Sequence, residues 1–238
     1  MNQESVSQVL HKKLKQIIAN AEPGARLSSE PELAKQLGVS RATLREAMRT
    51  FETQGMLRRR QGSGTYVTHP TNIIESGLEV LESIERIAER MGLPVSFGAL
   101  EIERRIASKE EASIFDISPD DQVISIARVI LLENRPVAYL IDTLPKGIIS
   151  PEELDKGFTG SILELLLRRG EPQLTTSKTE INAVPSSSKV SRALNIQRGD
   201  VLLSFTADLF AEDGRIINHS HSYFLPGYFR FHVVRRVT

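Results

Sequence analysis

The stretch Ser40–Arg49, "SRATLREAMR", carries the residues of this chain best placed to do chemistry. Arg41, Arg45 and Arg49 recur at every fourth position, so on a helix they share one side, with Ser40 and Thr43 at its start. Guanidiniums present forked N–H donors that match phosphate oxygens and the O6/N7 edge of guanine, and short hydroxyls add phosphate contacts. Leu44, Ala47, Met48 and Phe51 fall at i, i+3, i+4 and i+7, one complete apolar stripe. Packing therefore uses that side, and the arginine row is left to meet phosphates and base edges in a major groove. Just downstream, "MLRRRQGSGTYV" reads as strand, Gly-rich tip, strand. Alternate side chains of a strand point one way, so Arg58 and Arg60 together face phosphate.

Two further groups have chemical potential. Arg128 sits within the apolar run "ISIARVILL", where a charge needs a partner. An internal ion pair with Glu180 or Asp208 and an anchor for a ligand are both open readings. His219 and His221 in "HSHS" lie two apart, so on a strand both rings face one side, as metal ligands would. No third ligand is evident, so they read as surface or pocket polarity. No metal site and no cofactor is expected. The chain has no cysteine, which excludes disulfides, thiolate nucleophiles and thiolate metal sites.

The elements that must position these residues follow from periodicity and punctuation. Val6, Val9, Leu10, Leu14, Ile17 and Ile18 mark a first helix, ended by Pro23 and Gly24. Ser29 with Glu32 forms a capping box for a second helix. Pro31 stands in its first turn, Leu33, Ala34 and Leu37 form its inner face, and Gly38 suits its left-handed exit. Ser40 caps the third helix and Gly55 closes it. Three helices and a hairpin, with a short turn before the third helix, predict a winged helix-turn-helix over residues 1–69.

Residues 70–92 read as a linker, "PTNIIES", followed by a helix marked by Leu78, Leu81, Ile84, Ile87, Ala88 and Met91 and ended by "GLP". That helix suits either a dimer seam or a cover for a sheet. Over residues 93–238, seven strand-like runs from "GALEIERRI" to "RFHVVRRV" alternate with short helical pieces, "SKEEASIF", "SILELLLRR" and "SSSKVSRAL". Hairpin links at "ENRP" and "EDGR" predict an α+β domain with a mainly antiparallel sheet and packed helices. No internal repeat is evident.

The formal charge is zero but unevenly spread: residues 1–69 hold 11 Lys and Arg against 6 Asp and Glu, leaving 19 against 24 for the remainder. A basic head on an acidic body fits a chain of which one domain meets a polyanion. The N-terminus lacks the apolar core of a signal peptide, and nowhere do about 18 apolar residues run together. A soluble, cytoplasmic protein that engages no membrane is the expectation.

The stretch "LSSEPELAKQLGVSRATLREAMRTFETQGMLRRRQGSGTYV" resembles the GntR-family DNA-binding domain, in its capping box, its "VSR-x-T-x-R-E-A" recognition helix and its wing. The second part is similar to the UTRA ligand-binding domain of the HutC subfamily, through "ENRPVAYLIDTLP", "GSILELLLRRG" and "HSHSYFLPGYFRF". The first resemblance implies that Arg41, Thr43 and Arg45 touch DNA with Ser40 on the backbone. It also implies that the wing tip, Gln61, Gly62, Ser63 and Gly64 with Thr65 at its base, enters the minor groove. Many members carry a base-contacting Arg where this chain has Pro31. The second resemblance implies an effector pocket holding Arg128 and Ser161. Ile130 replaces a second strand arginine, Asn218 replaces an acid, and "LPG" replaces an "RGD". A phosphosugar or histidine-pathway effector is therefore not transferred. Arg128, Ser161, Asn218 and Tyr223 are the effector-binding expectations, although Tyr223 and Phe224 also suit a core.

Together these features predict a DNA-binding transcriptional regulator, a repressor acting as a homodimer on a pseudo-palindromic operator under control of a small-molecule effector. A ligand-independent dimeric regulator is the first alternative. A lyase-like enzyme fused to a DNA-binding head is the second, because the UTRA fold resembles chorismate lyase. Against an enzyme, the sequence shows no nucleophile elbow with Ser, His and acid in order, and no phosphate-cradling Gly-rich loop.

Overall fold

The computed structural model describes residues 6–22, 24–60, 62–68, 73–155, 158 and 160–237. Two compact units divide it, one of Met1–Ile73 with Leu225–Phe229 and the other of Ile74–Phe224 with Arg230–Thr238.

The first unit begins with helices α1 (Val6–Ala19), α2 (Glu30–Leu37) and α3 (Arg41–Thr53). Glu32 accepts the Ser29 N–H at 3.1 Å, so a side chain satisfies a backbone donor that the start of α2 leaves over. Ser40 Oγ accepts the Thr43 N–H at 3.1 Å and starts α3 in the same way. Gly38 ends α2 at φ 70°, a left-handed conformation that favours glycine. The apolar stripe of α3, Leu44, Met48 and Phe51, is buried against Leu10, Leu14 and Ile18 of α1 and Leu33 of α2. Strands β1 (Leu57–Arg60) and β2 (Gly64–Val67) then form the expected hairpin, with Arg58 opposite Tyr66 and Arg60 opposite Gly64. Arg26 bridges to Tyr66, so the segment before α2 joins the hairpin as a third, single-residue partner.

The second unit opens with β3 (Ile74–Gly77), which lies in the segment expected to be a linker and pairs with the last strand, β10 (Phe229–His232). The expected helix over Leu78–Met91 is shorter than its apolar spacing indicates. Helix α4 (Ile84–Arg90) starts only where Ser83 Oγ accepts the Arg86 N–H at 3.1 Å. Leu78 and Leu81 lie before that cap and are exposed, so no packing holds them in a helix.

There follow β4 (Val95–Ile106), α5 (Lys109–Phe115), β5 (Gln122–Leu132), β6 (Arg135–Pro145), α6 (Pro151–Asp155), α7 (Ile162–Arg169), β7 (Leu174–Pro185), α8 (Ser188–Leu194), β8 (Val201–Ala211) and β9 (Ile216–Phe224). Six of these strands make one antiparallel sheet in the order β4-β5-β6-β9-β8-β7. The final run, "RFHVVRRV", is strand only as far as His232.

The expectation of no internal repeat is corrected here. The unit β4-α5-β5-β6 recurs as β7-α8-β8-β9, and the two copies meet where β6 pairs with β9. Ser108 and Ser187, 79 positions apart, cap the two helices, and Asp116 and Asn195 end both at φ 53°. Asp121 and Asp200 each accept a backbone N–H three residues earlier, from Ser118 and Gln197, at 2.9 and 3.1 Å. The residues that fix caps and turns correspond, while most of those facing the core differ, which hides the repeat in the sequence.

Both faces of the sheet are covered. On one, Ile124, Ile126, Leu144 and Leu209 pack with Ile162 and Leu166 of α7 and Leu154 of α6. On the other, Val123 packs with Ala112 and Phe115 of α5. No described helix is long and apolar enough to cross a membrane.

Candidate nucleic-acid interface and ligand cavity

In the first unit, Arg41 and Arg45 are exposed on the outer side of α3, as are Arg58, Arg59 and Arg60 along β1. Arg45 Nε donates to Glu30 Oε2 at 2.6 Å, and Arg59 meets Glu30 Oε1 at 2.9 Å, so one carboxylate at the start of α2 holds a helix arginine and a wing arginine. Among the described residues no carboxylate is recorded against Arg41, Arg58 or Arg60. Arg60 instead lies over the Tyr66 ring, 5.0 Å from its centroid, and the Tyr66 hydroxyl is 2.7 Å from Ser63 Oγ at the wing tip. Thr43 Oγ1 is 2.8 Å from Ser40 Oγ at the exposed start of α3.

Two expected contact residues are less exposed than the others. The Arg49 side chain is only 21% exposed and donates to Glu46 at 2.7 Å. Thr65 is 7% exposed, and its carbonyl accepts the Leu27 N–H at 2.8 Å. It ties the base of the wing to the segment before α2. Gln61 lies outside the described residues. Gly62 and Gly64, at φ 73° and 118°, shape the turn that carries Ser63.

In the second unit, a cavity of about 580 Å³ opens on the sheet face shared with α7, within the range of small-molecule sites. Arg128, Ser161 and Asn218 all line it, as expected. Arg128 pairs with Asp142, not with Glu180 or Asp208, because the β5–β6 register sets Asp142 on the same face one pair further along. Asn218 Nδ2 donates to the other oxygen of Asp142 at 2.7 Å. Arg128 is 4% exposed and Asp142 6%, so this is a buried, hydrogen-bonded charge pair at the floor of the cavity. Glu85 on α4 faces it, with Oε1 3.9 Å from Arg128 Nε. Burial raises the Glu85 carboxyl above the usual range, opposed by the Arg128 charge. Glu85 and Asp142 were missed in the sequence. Glu85 sits in the first turn of a short helix, beside its apolar stripe of Ile84, Ile87 and Ala88 and not within it, and Asp142 is recognisable only through strand register.

Ser161 caps α7 and accepts the Glu164 N–H at 3.2 Å. The Glu164 carboxylate accepts from Ser83 Oγ at 2.8 Å, so the positive end of that helix already has a carboxylate beside it.

Tyr223 does not line the cavity and is corrected. Strand residues alternate, so Asn218, Ser220 and Ser222 face the cavity, while His219, His221 and Tyr223 face the opposite side of the sheet. There His219 Nδ1 is 2.6 Å from Asp208 Oδ1, and the two histidine Nε2 atoms are 3.2 Å apart. His221 Nδ1 lies 3.3 Å from Thr206 Oγ1. The Asp208 carboxylate only accepts, so with both rings neutral the order is fixed. Thr206 O–H donates to His221, His221 Nε2–H donates to His219, and His219 Nδ1–H donates to Asp208. Burial, with the neighbouring His219, lowers the His221 pKa below its ordinary value. Among the described residues no cluster of three or more His, Asp or Glu suits a metal ion.

Comparison with known proteins agrees with this division. The model of the family described as "Bacterial regulatory proteins, gntR family" matches residues 5–67, and that of the "UTRA domain" matches residues 90–230. The chain is 26% identical over 211 residues to the HTH-type transcriptional repressor NagR of Bacillus subtilis (strain 168), covering 88% of this chain and 86% of that one. It is 28% identical over 184 residues to the histidine utilization repressor of Pseudomonas putida, covering 76% and 71%. Its fold is that of PhnF from Mycobacterium smegmatis, whose crystal structure matches with a TM-score of 0.63 at 19% identity, over 96% of this chain and 100% of the other.

Proposed function

Because this chain belongs to the gntR family of bacterial regulatory proteins and couples its DNA-binding domain to a UTRA domain, we propose that it is a repressor that holds a pseudo-palindromic operator as a homodimer and answers to a small effector in the 580 Å³ cavity. Regulation of transcription is the activity its relatives are named for. One observation carries the proposed DNA contacts: Leu44, Met48 and Phe51 on the inner side of α3 are buried, while Arg41, Arg45, Arg58 and Arg60 remain outward on α3 and the wing. Arg41 and Arg45 are suited to base edges and Arg58 and Arg60 to phosphates, with Ser40 and Thr43 on the backbone and Ser63 at the minor groove. A homodimer then sets two recognition helices about 34–36 Å apart, one turn of the duplex. An effector shifts that spacing only by binding the two arrangements unequally.

The test is a mobility-shift titration of wild type, Arg41→Ala and Arg45→Ala on an operator selected by the wild-type chain from a pool of random duplexes. Each variant loses about tenfold or more in affinity, corresponding to about 1–3 kcal/mol for a bidentate base contact. Unchanged affinity in both variants refutes the recognition-helix assignment.

A further inference from the structure

The cavity's own charges specify what it takes. Of the ionisable groups lining it among the described residues, one is cationic, Arg128, and four are carboxylic acids, Glu79, Glu82, Glu85 and Asp142. The single guanidinium is already engaged by Asp142. The start of α7, the other place where an anion would settle, has Glu164 beside it. A phosphate ester entering here meets carboxylates and finds its cationic partner taken.

Three buried polar atoms of residues that line the cavity have no hydrogen-bond partner: Glu85 Oε1, Asn218 Oδ1 and Arg128 Nε, the first and last 3.9 Å from each other. Buried polar atoms left unpaired are costly, which marks these three as positions for a ligand to fill. Two are acceptors and one is a donor. An ammonium has three N–H donors and no acceptor, so it satisfies Glu85 and Asn218 at once. A hydroxyl both donates and accepts, so it answers the Arg128 N–H. Phe205, Phe224 and Phe231, with ring centroids 4.7–5.2 Å apart, supply an apolar wall against which a carbon skeleton packs and whose faces attract cations.

We infer that the cavity binds a small hydroxylated amine in its ammonium form, an amino polyol or amino sugar, and rejects the phosphate ester of the same skeleton. This rests on reading the cavity as the effector site. The groups facing Glu85 are Arg128 on β5, Asp142 on β6 and Glu164 on α7. Arg128, the cation facing this carboxyl, is 3.9 Å away and shared with Asp142, and an arriving ammonium adds a second cation within hydrogen-bond reach.

The full chain is titrated by calorimetry with three probes of one skeleton: 1-amino-1-deoxysorbitol, sorbitol and sorbitol 6-phosphate. The amine binds about tenfold or more tightly than sorbitol, as expected for a charge-assisted contact, and the phosphate does not bind. Glu85→Gln removes that preference, and its urea unfolding shows that it is folded. Tighter binding of the phosphate, equal binding of amine and sorbitol, or binding of none overturns the ligand class. The effector reading itself is tested separately by thermal shift across a metabolite panel of all charge types. It fails only if no compound stabilises the chain.

Discussion

Replacing Asp142 by Asn preserves the shape of the side chain and removes its charge, leaving Arg128 buried opposite an amide. The amide has one acceptor oxygen where the carboxylate had two, so it serves Arg128 or Asn218 but not both. The nearest remaining carboxylate, Glu85, is 3.9 Å from Arg128 Nε, beyond hydrogen-bond reach. Removing one partner of a buried pair costs about 3–5 kcal/mol. The hydrogen bond that the amide keeps places Asp142→Asn near the lower end, about 3 kcal/mol. For a folding unit of this size each kcal/mol moves Tm by about 2–4 °C, so Tm falls by about 6–12 °C. The control is Glu180→Gln. Glu180 lies 3.9 Å from Lys178 with the two side chains 67% and 70% exposed, so its loss costs under about 1 kcal/mol. Urea unfolding followed by circular dichroism at neutral pH measures both. Raising salt weakens what little the Glu180 pair contributes and leaves the Asp142 deficit in place, because ions do not screen a buried pair. If Asp142→Asn falls within about 1 kcal/mol of wild type, or loses its deficit in salt, the pair does not hold the sheet as argued. Arg128→Met with Asp142→Leu recovers most of the lost stability.

The remaining predictions are briefer. On the operator, Arg49→Ala weakens binding far less than Arg45→Ala, since the Arg49 side chain is 21% exposed against 56% for Arg45, and fluorescence anisotropy separates the two. In the same assay Arg58→Ala lowers affinity on every sequence and reduces the salt slope by about 1, the mark of a phosphate contact. The paired Arg105 guanidinium, with both contacts at 2.6 Å, holds the Glu111 carboxyl down to about 2 from 4.5. A lowered carboxyl stabilises fully above the unfolded value, and that contribution is lost as pH falls from about 4.5 to about 2. Because Arg105 is 33% exposed, the contribution is about 1 kcal/mol after screening. Wild type therefore exceeds Glu111→Gln by that margin at pH 7, and acid titrations of the two converge near pH 2. Gly160→Ala puts a Cβ 2.3 Å from the Phe97 ring at φ 89°, so this variant unfolds at least about 1–3 kcal/mol sooner in urea.

Most elements of both units were legible without coordinates, because their signals are local. Ser29, Ser40 and Gly38 satisfy helix-end groups within a few residues, and the α3 stripe reports its own buried side. The strands of the large sheet show as apolar runs, and the hairpin links at Asn134 and Gly214 adopt the positive φ that their residue types favour. What was misread is non-local. Leu78 and Leu81 carry helical spacing but have no surface to pack on. Strand β3 exists only because β10, more than 150 residues later, pairs with it.

For function the division is the same. The sequence alone determined that a basic head presents arginines on α3 and the wing, because spacing on one helix or one strand decides which side a residue occupies. It also identified Arg128 as a charge needing a partner. Tertiary structure alone decided that the partner is Asp142, that Glu85 completes the cavity, and that His219, His221 and Tyr223 face the other way. Strand alternation says which residues share a face, but which face is covered by α7 and α4 and which by α5 is set by chain crossings. Those crossings bring together residues that no window of the sequence contains.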